Sequence, residues 1–194
     1  VLDAVNVISP LNRGFKVSVG GFGAKDTMEV PLAIQSYDAR TIADIASRTV
    51  SDVLAVDPSV VTSNYGGGFG NFRLRGFTMD NFNTIRRDGL ALAPHYDVAR
   101  ELVERVDVLK GPSGFLYGFN SPGGTINYIP KRPTYEPFTQ VTTQVTSLEG
   151  RLVAVDTSRA LLNGSLGYRL NAGVERVGNF DHFGDFDRPM SVYL

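Results

Sequence analysis

Apolar and polar positions alternate by twos in several stretches of this chain and by threes and fours in two others. PLAIQSY, residues 31–37, is a short strand candidate, and Asp38 stands where it can cap a helix whose Ile42, Ile45 and Ala46 share one face. A second short helix follows, opened by Thr49 or Ser51, with Val53, Leu54 and Val56 available for burial and Asp57-Pro58 to end it. SNYGGGFGNFRLRGF, residues 63–77, reads as a flexible loop running into a strand in which Phe72 and Leu74 alternate with Arg73 and Arg75. NTIRR is a further strand, turned by Asp88-Gly89, the dipeptide favoured in tight hairpins, and returned through LALA. Asp97 is placed to cap a short helix VARELV, after which ERVDVLK sets Val106 and Val108 against Arg105, Asp107 and Leu109. Residues 30–130 therefore predict a small mixed α/β globule.

The character changes after Lys131-Arg132-Pro133. LGYRLNAGVE, residues 166–175, puts Leu166, Tyr168, Leu170, Ala172 and Val174 on one face and Gly167, Arg169, Asn171, Gly173 and Glu175 on the other. One face suits lipid and the other water, and the length matches the roughly 9–11 residues of a transmembrane strand. FTQVTTQVTS (138–147) and RLVAVDTS (151–158) are weaker versions separated by Glu149-Gly150, so about three such strands are expected. The edge of a soluble antiparallel sheet produces the same alternation. Ahead of Met28, LNRG, VGGFG and AKDT break up short β-prone pieces, and this part reads as a mobile leader.

Composition narrows the function. The chain has 194 residues, 42% of them hydrophobic, which is ordinary for a protein with a core. Its 19 basic and 20 acidic residues leave a net charge of −1, so no global field recruits nucleic acid. The absence of cysteine excludes disulfides, thiolate zinc, iron–sulfur ligation and a cysteine nucleophile within these residues. No apolar run approaches the roughly 20 residues of a spanning helix, although strands are not excluded. VLDAVNVISP lacks the basic start and cleavage site of a signal peptide and fits a processed end or an arbitrary boundary equally, so it does not report secretion either way.

Residues 109–133, LKGPSGFLYGFNSPGGTINYIPKRP, pose the main chemical question, because glycine-dense loops often cradle phosphates. A Walker loop requires a lysine after its second glycine, and GPSGFLYG has none. GGGFGN at 66–71 ends in asparagine where the dinucleotide fingerprint needs glycine. His95 and His182 are far apart in sequence, His95 has only Asp97 close by as a further donor for a three-ligand metal site, His182 lies in the DHFGDFD cluster of an expected loop, and no serine-centred triad presents itself. Nothing in these patterns argues for catalysis.

Taken in order, VPLAIQSYDARTI, TVSDVLAVDPSV, FRLRGF, DGL, ERVDVLKGPSGFLYGFNSPGGTINYIPKRP and GYRLNAGVER resemble the N-terminal part of TonB-dependent outer-membrane receptors, the ferric-siderophore group above all. The resemblance covers essentially the whole chain. It implies an α+β plug, a small mixed sheet with short helices, followed by antiparallel strands of a truncated transmembrane β-barrel. Its boundaries are a leader at 1–28 with a TonB-contact segment, a plug at 29–133 and first barrel strands at 134–194. Glycine and proline in such a plug serve tight turns where the chain must fold back in little space. A lumen holding a plug of this size belongs to barrels of about 22 strands, so these strands are expected to be part of a larger receptor.

The same resemblance implies a bacterial outer-membrane transporter, not an enzyme, importing a ferric siderophore, with the plug gating the barrel. Cobalamin, haem or a carbohydrate are alternative cargoes of this architecture, and a soluble β-rich binding module is the alternative of another class. Partners are TonB, ferric siderophore and outer-membrane lipid, with no nucleic acid. No resident cofactor or metal is expected, ferric iron entering only within a bound siderophore. TonB contact falls to Leu2, Ala4, Val5, Val7 and Ile8 of LDAVNVIS, a β-prone segment suited to adding to a partner's sheet, although an ordinary unstructured start has the same composition. Arg75 and Lys110 match positions that latch plug to barrel wall, with Lys where the family often has Arg. Ligand contact falls to Tyr65, Asn81, Phe82, His95 and Tyr96 in outward plug loops, with Tyr117 a weaker choice because FLYG can face inward.

Overall fold

The computed structural model describes residues 16–18, 24–26, 29–45, 47, 49–65, 69–80, 82–92, 98–145, 150–161, 166–177 and 186–193. The chain divides into two compact units, Val1–Pro130 and Lys131–Leu194.

The first unit begins with a ribbon of β1 (Lys16–Ser18) and β2 (Ala24–Asp26), so the described β-prone pieces of the leader pair with each other. β3 (Ala33–Asp38) runs into α1 (Ala39–Asp44), where the Asp38 carboxylate accepts a hydrogen bond from the Thr41 amide at 2.8 Å. α2 (Val50–Leu54) is opened by a reciprocal capping box in which Thr49 and Asp52 each satisfy the other's amide. Its Val50, Val53 and Leu54 are fully buried. Val56, expected beside them, is 51% exposed because the helix ends at Leu54 and its period no longer positions the following residues. Ala46 lies outside the described residues.

Two sheets complete this unit. The first pairs β4 (Val60–Tyr65), β5 (Phe69–Leu74) and β6 (Phe77–Thr78) in that order. Positions 63–65 and 69–70, expected in a loop, are thus paired strand, with Ser63 opposite Asn71 and Tyr65 opposite Phe69. Their polar and glycine residues carry no strand signal alone; pairing across the hairpin imposes the conformation. Arg75 and Gly76, both at positive φ, make the two-residue turn into β6.

The larger sheet has the order β3-β9-β10-β7-β8, built from β7 (Ile85–Arg87), β8 (Leu90–Ala91), β9 (Val103–Lys110) and β10 (Gly124–Pro130). Asp88-Gly89 turns β7 into β8 as expected. β9 lies between β3 and β10, antiparallel to both. Val106, Val108 and Ile126 join Tyr37, Phe72 and Leu74 in the main core. The opposite face is also covered: Asp107 is fully buried, and Leu109 packs with Val30 and Ile34. A strand central to its sheet has both faces available for burial. VARELV, expected as an α-helix, is a 3-10 turn at Arg100–Leu102 with no side-chain cap, and Val103 already belongs to β9. Asp97 lies outside the described residues.

The glycine-rich connection from β9 to β10 is closed on itself. It carries α3 (Gly114–Tyr117), and the Gly111 amide donates to the Gly123 carbonyl at 2.8 Å. Ser113 and Thr125 hydroxyls are 2.6 Å apart, and Asn120 donates to both. At Gly124, φ is +139°, and a Cβ would stand 1.9 Å from the Leu109 carbonyl oxygen. At Gly123 a Cβ would stand 2.5 Å from the Leu74 carbonyl oxygen. Gly123 serves the close backbone approach of the two sheets, and Gly124 the close approach of β10 to its neighbour β9 and to the Leu74 side chain of the smaller sheet.

The second unit is a meander of β11 (Phe138–Val145), β12 (Arg151–Leu161), β13 (Leu166–Val177) and β14 (Phe186–Tyr193). It has four strands where about three were expected. Pro189 of β14 interrupts the alternation and falls where the β13–β14 register shifts, an irregularity that accommodates its missing amide. Val153 opposes Val174 and Val155 opposes Ala172 on one face, while Asp156 opposes Asn171 and Ser158 opposes Arg169 on the other. The apolar valines are exposed, Val153 at 52%, whereas Asp156, Ser158, Asn171 and Glu175 are buried. Leu152 and Ala154 share the buried face, and Arg151, Arg159 and Arg176 are exposed near the strand ends, so the exposed face is apolar along its middle, at Val153, Val155 and Val174, as in a lipid-facing band. Among the described residues no helix is long and apolar enough to cross a membrane.

Candidate functional site

Residues 80–84 present Phe82. The Phe82 amide donates to Asp80 Oδ1 at 3.0 Å, the Thr84 amide donates to the Asp80 carbonyl at 2.9 Å, and the Asn83 side-chain amide and the Thr84 hydroxyl also donate to Asp80. This network fixes the backbone of the turn, and the Phe82 ring remains 64% exposed. An aromatic on a rigid, exposed turn provides stacking area at little further conformational cost. Tyr65 is the last residue of β4, at the end of the hairpin that continues into β5. Asn81, His95 and Tyr96 lie outside the described residues, as do Leu2, Ala4, Val5, Val7 and Ile8. Of the five ligand positions, the structure therefore places Phe82 and the backbone of Tyr65.

Tyr117 faces inward: the Arg86 guanidinium lies 4.1 Å from its ring centroid and donates to its carbonyl at 3.2 Å. Arg86 also donates to the carbonyls of Gly89 and Asn83. One buried guanidinium thereby holds the β7–β8 turn, the Asp80 turn and α3 together.

Arg75 is exposed in the turn between β5 and β6, at φ +52°. Lys110, the last residue of β9, places its ammonium 2.7 Å from Asp57 Oδ2 within the first unit. Asp57 also accepts from the Ser59 amide at 2.9 Å and the Ser59 hydroxyl at 2.7 Å. Burial pushes the Asp57 carboxyl up, but the hydrogen bonds from Lys110 and Ser59, with the charge of Lys110, outweigh it and hold the group below the usual carboxylate range. Burial, and then the charge of Asp57, raise the Tyr37 phenol. Asp107 behaves oppositely: burial raises it despite Arg105 at 2.9 Å and the Ser36 hydroxyl at 2.7 Å. In the sequence Asp57 reads only as a helix stop and Asp107 only as a polar strand position. Their partners come from distant segments, and local pattern carries no signal for them.

A compact α+β unit followed by strands that expose valines along one face and bury Asp156 and Glu175 on the other has the character of a plug-bearing outer-membrane β-barrel. Residues 26–125 match the TonB-dependent Receptor Plug Domain, and the chain belongs to that family. It is 33% identical over 147 residues to the ferrichrome receptor FcuA of Yersinia enterocolitica, an alignment covering 73% of this chain and 19% of the relative. It is 30% identical over 172 residues to the ferripyoverdine receptor of Pseudomonas aeruginosa, covering 85% of this chain and 21% of the relative. Among solved structures, BauA, the ferric preacinetobactin receptor of Acinetobacter baumannii, superposes with a TM-score of 0.75 at 31% identity, covering 87% of this chain and 26% of that one. The chain thus spans about a fifth of the length of the curated relatives it matches.

Proposed function

We propose that this chain is the leader, plug and first barrel strands of a receptor that imports a ferric siderophore across the bacterial outer membrane, driven by TonB. The observation that carries this reading is the succession of a plug-family unit and a wall whose apolar face is exposed. The relatives reported above are receptors for ferrichrome, ferripyoverdine and ferric preacinetobactin, which supports a ferric chelate as cargo and a transport role rather than catalysis. Ferric iron then belongs to the cargo and not to the protein.

Residues 1–28 form the leader in this reading, 29–133 the plug and 134–194 the first part of the wall. Cargo rests on Tyr65, Asn81, Phe82, His95 and Tyr96, with Phe82 the best-supported member because its turn is rigid and its ring exposed. Leu2, Ala4, Val5, Val7 and Ile8 add as a strand to TonB from the periplasmic side. Arg75, exposed at its turn, latches the plug to an acidic wall residue. Lys110 is the second latch residue in this reading, and its pairing with Asp57 also holds the β4 entrance against β9.

The test is uptake of ferrichrome, ferripyoverdine and ferric preacinetobactin by cells carrying the complete receptor, with and without residues 1–9. At least one chelate should be imported by the intact receptor, and the deletion should abolish import while leaving surface binding. Unchanged import without residues 1–9 rejects the TonB segment, and binding of none of the chelates rejects the cargo class.

A further inference from the structure

Residues 131–134, Lys-Arg-Pro-Thr, have the composition of a slack linker. In the second unit, however, each of the four is held. Lys131 Nζ lies 2.8 Å from Asp156 Oδ2. Arg169 grips the same carboxylate with two donors, Nη2 to Oδ2 at 2.8 Å and Nε to Oδ1 at 3.0 Å. Its remaining nitrogen, Nη1, donates to the Arg132 carbonyl at 2.9 Å, and its guanidinium carbon lies 5.2 Å from the centre of the Phe138 ring. Pro133 covers Gly167 so closely that a Cβ there would be 2.8 Å from the proline Cβ. The Thr134 amide donates to Ser158 Oγ at 2.8 Å, and Ser158 in turn donates to the Tyr168 carbonyl at 3.1 Å.

Two cations share one carboxylate in this clasp, one of them in the fork geometry that gives the strongest charge-assisted pairing. Asp156 is buried, and Lys131 and Arg169 are largely covered; the Asp156–Arg169 pair joins β12 to β13 and survives release of the strap, so detachment costs the Lys131–Asp156 ion pair together with the hydrogen bonds Arg169–Arg132 carbonyl and Thr134–Ser158. A solvated linker has no such barrier to detachment.

We propose that residues 131–134 are a force-bearing anchor, with Asp156 and Arg169 as its positioning residues. A pull delivered to the first unit during transport is resisted at the strap, and the chain rearranges N-terminal to Lys131 while residues 131–134 stay seated on β12 and β13. The role in transport rests on the function proposed above.

The test uses the complete receptor. Pro133→Cys with Gly167→Cys places two thiols whose Cβ atoms need separate by only about 1 Å to reach disulfide spacing. The oxidised receptor should import ferric siderophore at a rate within about twofold of its reduced form. A loss on oxidation that reductant restores would show that the strap must detach, overturning the proposal. Hydrogen exchange gives a readout independent of cargo: the Thr134 amide should exchange as slowly as the β12–β13 ladder, and Asp156→Asn should accelerate it by about tenfold or more with the ladder unchanged. Fast exchange of Thr134 in the parent receptor also overturns the anchor. If the reduced receptor carries none of the chelates, the transport reading fails while exchange still decides whether the strap is fixed.

Discussion

The ammonium of Lys110 lies 2.7 Å from the carboxylate of Asp57 and joins the last residue of β9 to the chain entering β4. Asp57→Asn leaves the Lys110 charge facing an amide and should lower the stability of the first unit by about 2 kcal/mol at neutral pH. The pH dependence has a definite sign. The folded Asp57 carboxyl titrates below its unfolded value, so its stabilisation is present above the unfolded pKa of about 4 and is lost as pH falls through the folded pKa. Calorimetric unfolding of the complete receptor should therefore show parent and variant converging below about pH 4. A gap that stays constant down to the lowest pH would remove Asp57 from the account.

Gly124 tests the close packing of β10 against β9 and the Leu74 side chain. Gly124→Ala meets the Leu109 carbonyl oxygen and keeps a positive φ, and it should cost about 3 kcal/mol or prevent assembly of the first unit. Gly114→Ala, in α3 with no atom within 4 Å of the new methyl, should stay within about 0.5 kcal/mol of the parent. Resistance of the first unit to limited proteolysis separates the two, and equal resistance would contradict the packing described.

Much of this architecture was legible in the sequence. Asp38 and Thr49 announced their helices because caps act within a single turn, and Asp88-Gly89 announced its hairpin because few residues tolerate both turn positions. The first half of the β4–β5 hairpin was hidden because Ser63 and Asn64 carry no apolar alternation and gain their strand conformation from Asn71 and Gly70 opposite. β14 was legible only in part: MSVYL has strand character, but Pro189 just before it interrupts the alternation, and the strand extends back to Phe186 across the register shift. The ion pairs of Asp57, Asp107 and Asp156 could not be read at all, since each depends on chain segments that only folding brings together. Among the site residues, the sequence named Phe82 as a ligand candidate but not the Asp80 network that holds its turn.

Phe82→Ala should weaken binding of the imported chelate by about tenfold, the loss of one stacked aromatic, with the thermal transition of the first unit unchanged because the ring is exposed. Fluorescence quenching titration of the complete receptor reads the affinity. Unaltered affinity would remove Phe82 from the proposed contact set.

Val153 tests the lipid face. It is exposed beside Val155 and Val174 on strands of membrane-spanning length, so Val153→Arg should oppose insertion into phospholipid vesicles by about 2–4 kcal/mol if the position lies near the bilayer centre. Denaturant titration of the vesicle-inserted receptor measures the cost. In a water-facing sheet the same substitution would be nearly neutral.

The central claim is that the first unit closes a pathway which TonB opens for a ferric chelate. Its most direct measurement is import of radiolabelled ferric siderophore by cells expressing the complete receptor, in matched strains with and without TonB. The account predicts surface binding in both strains and accumulation only where TonB is present. Equal accumulation in the two strains would contradict it.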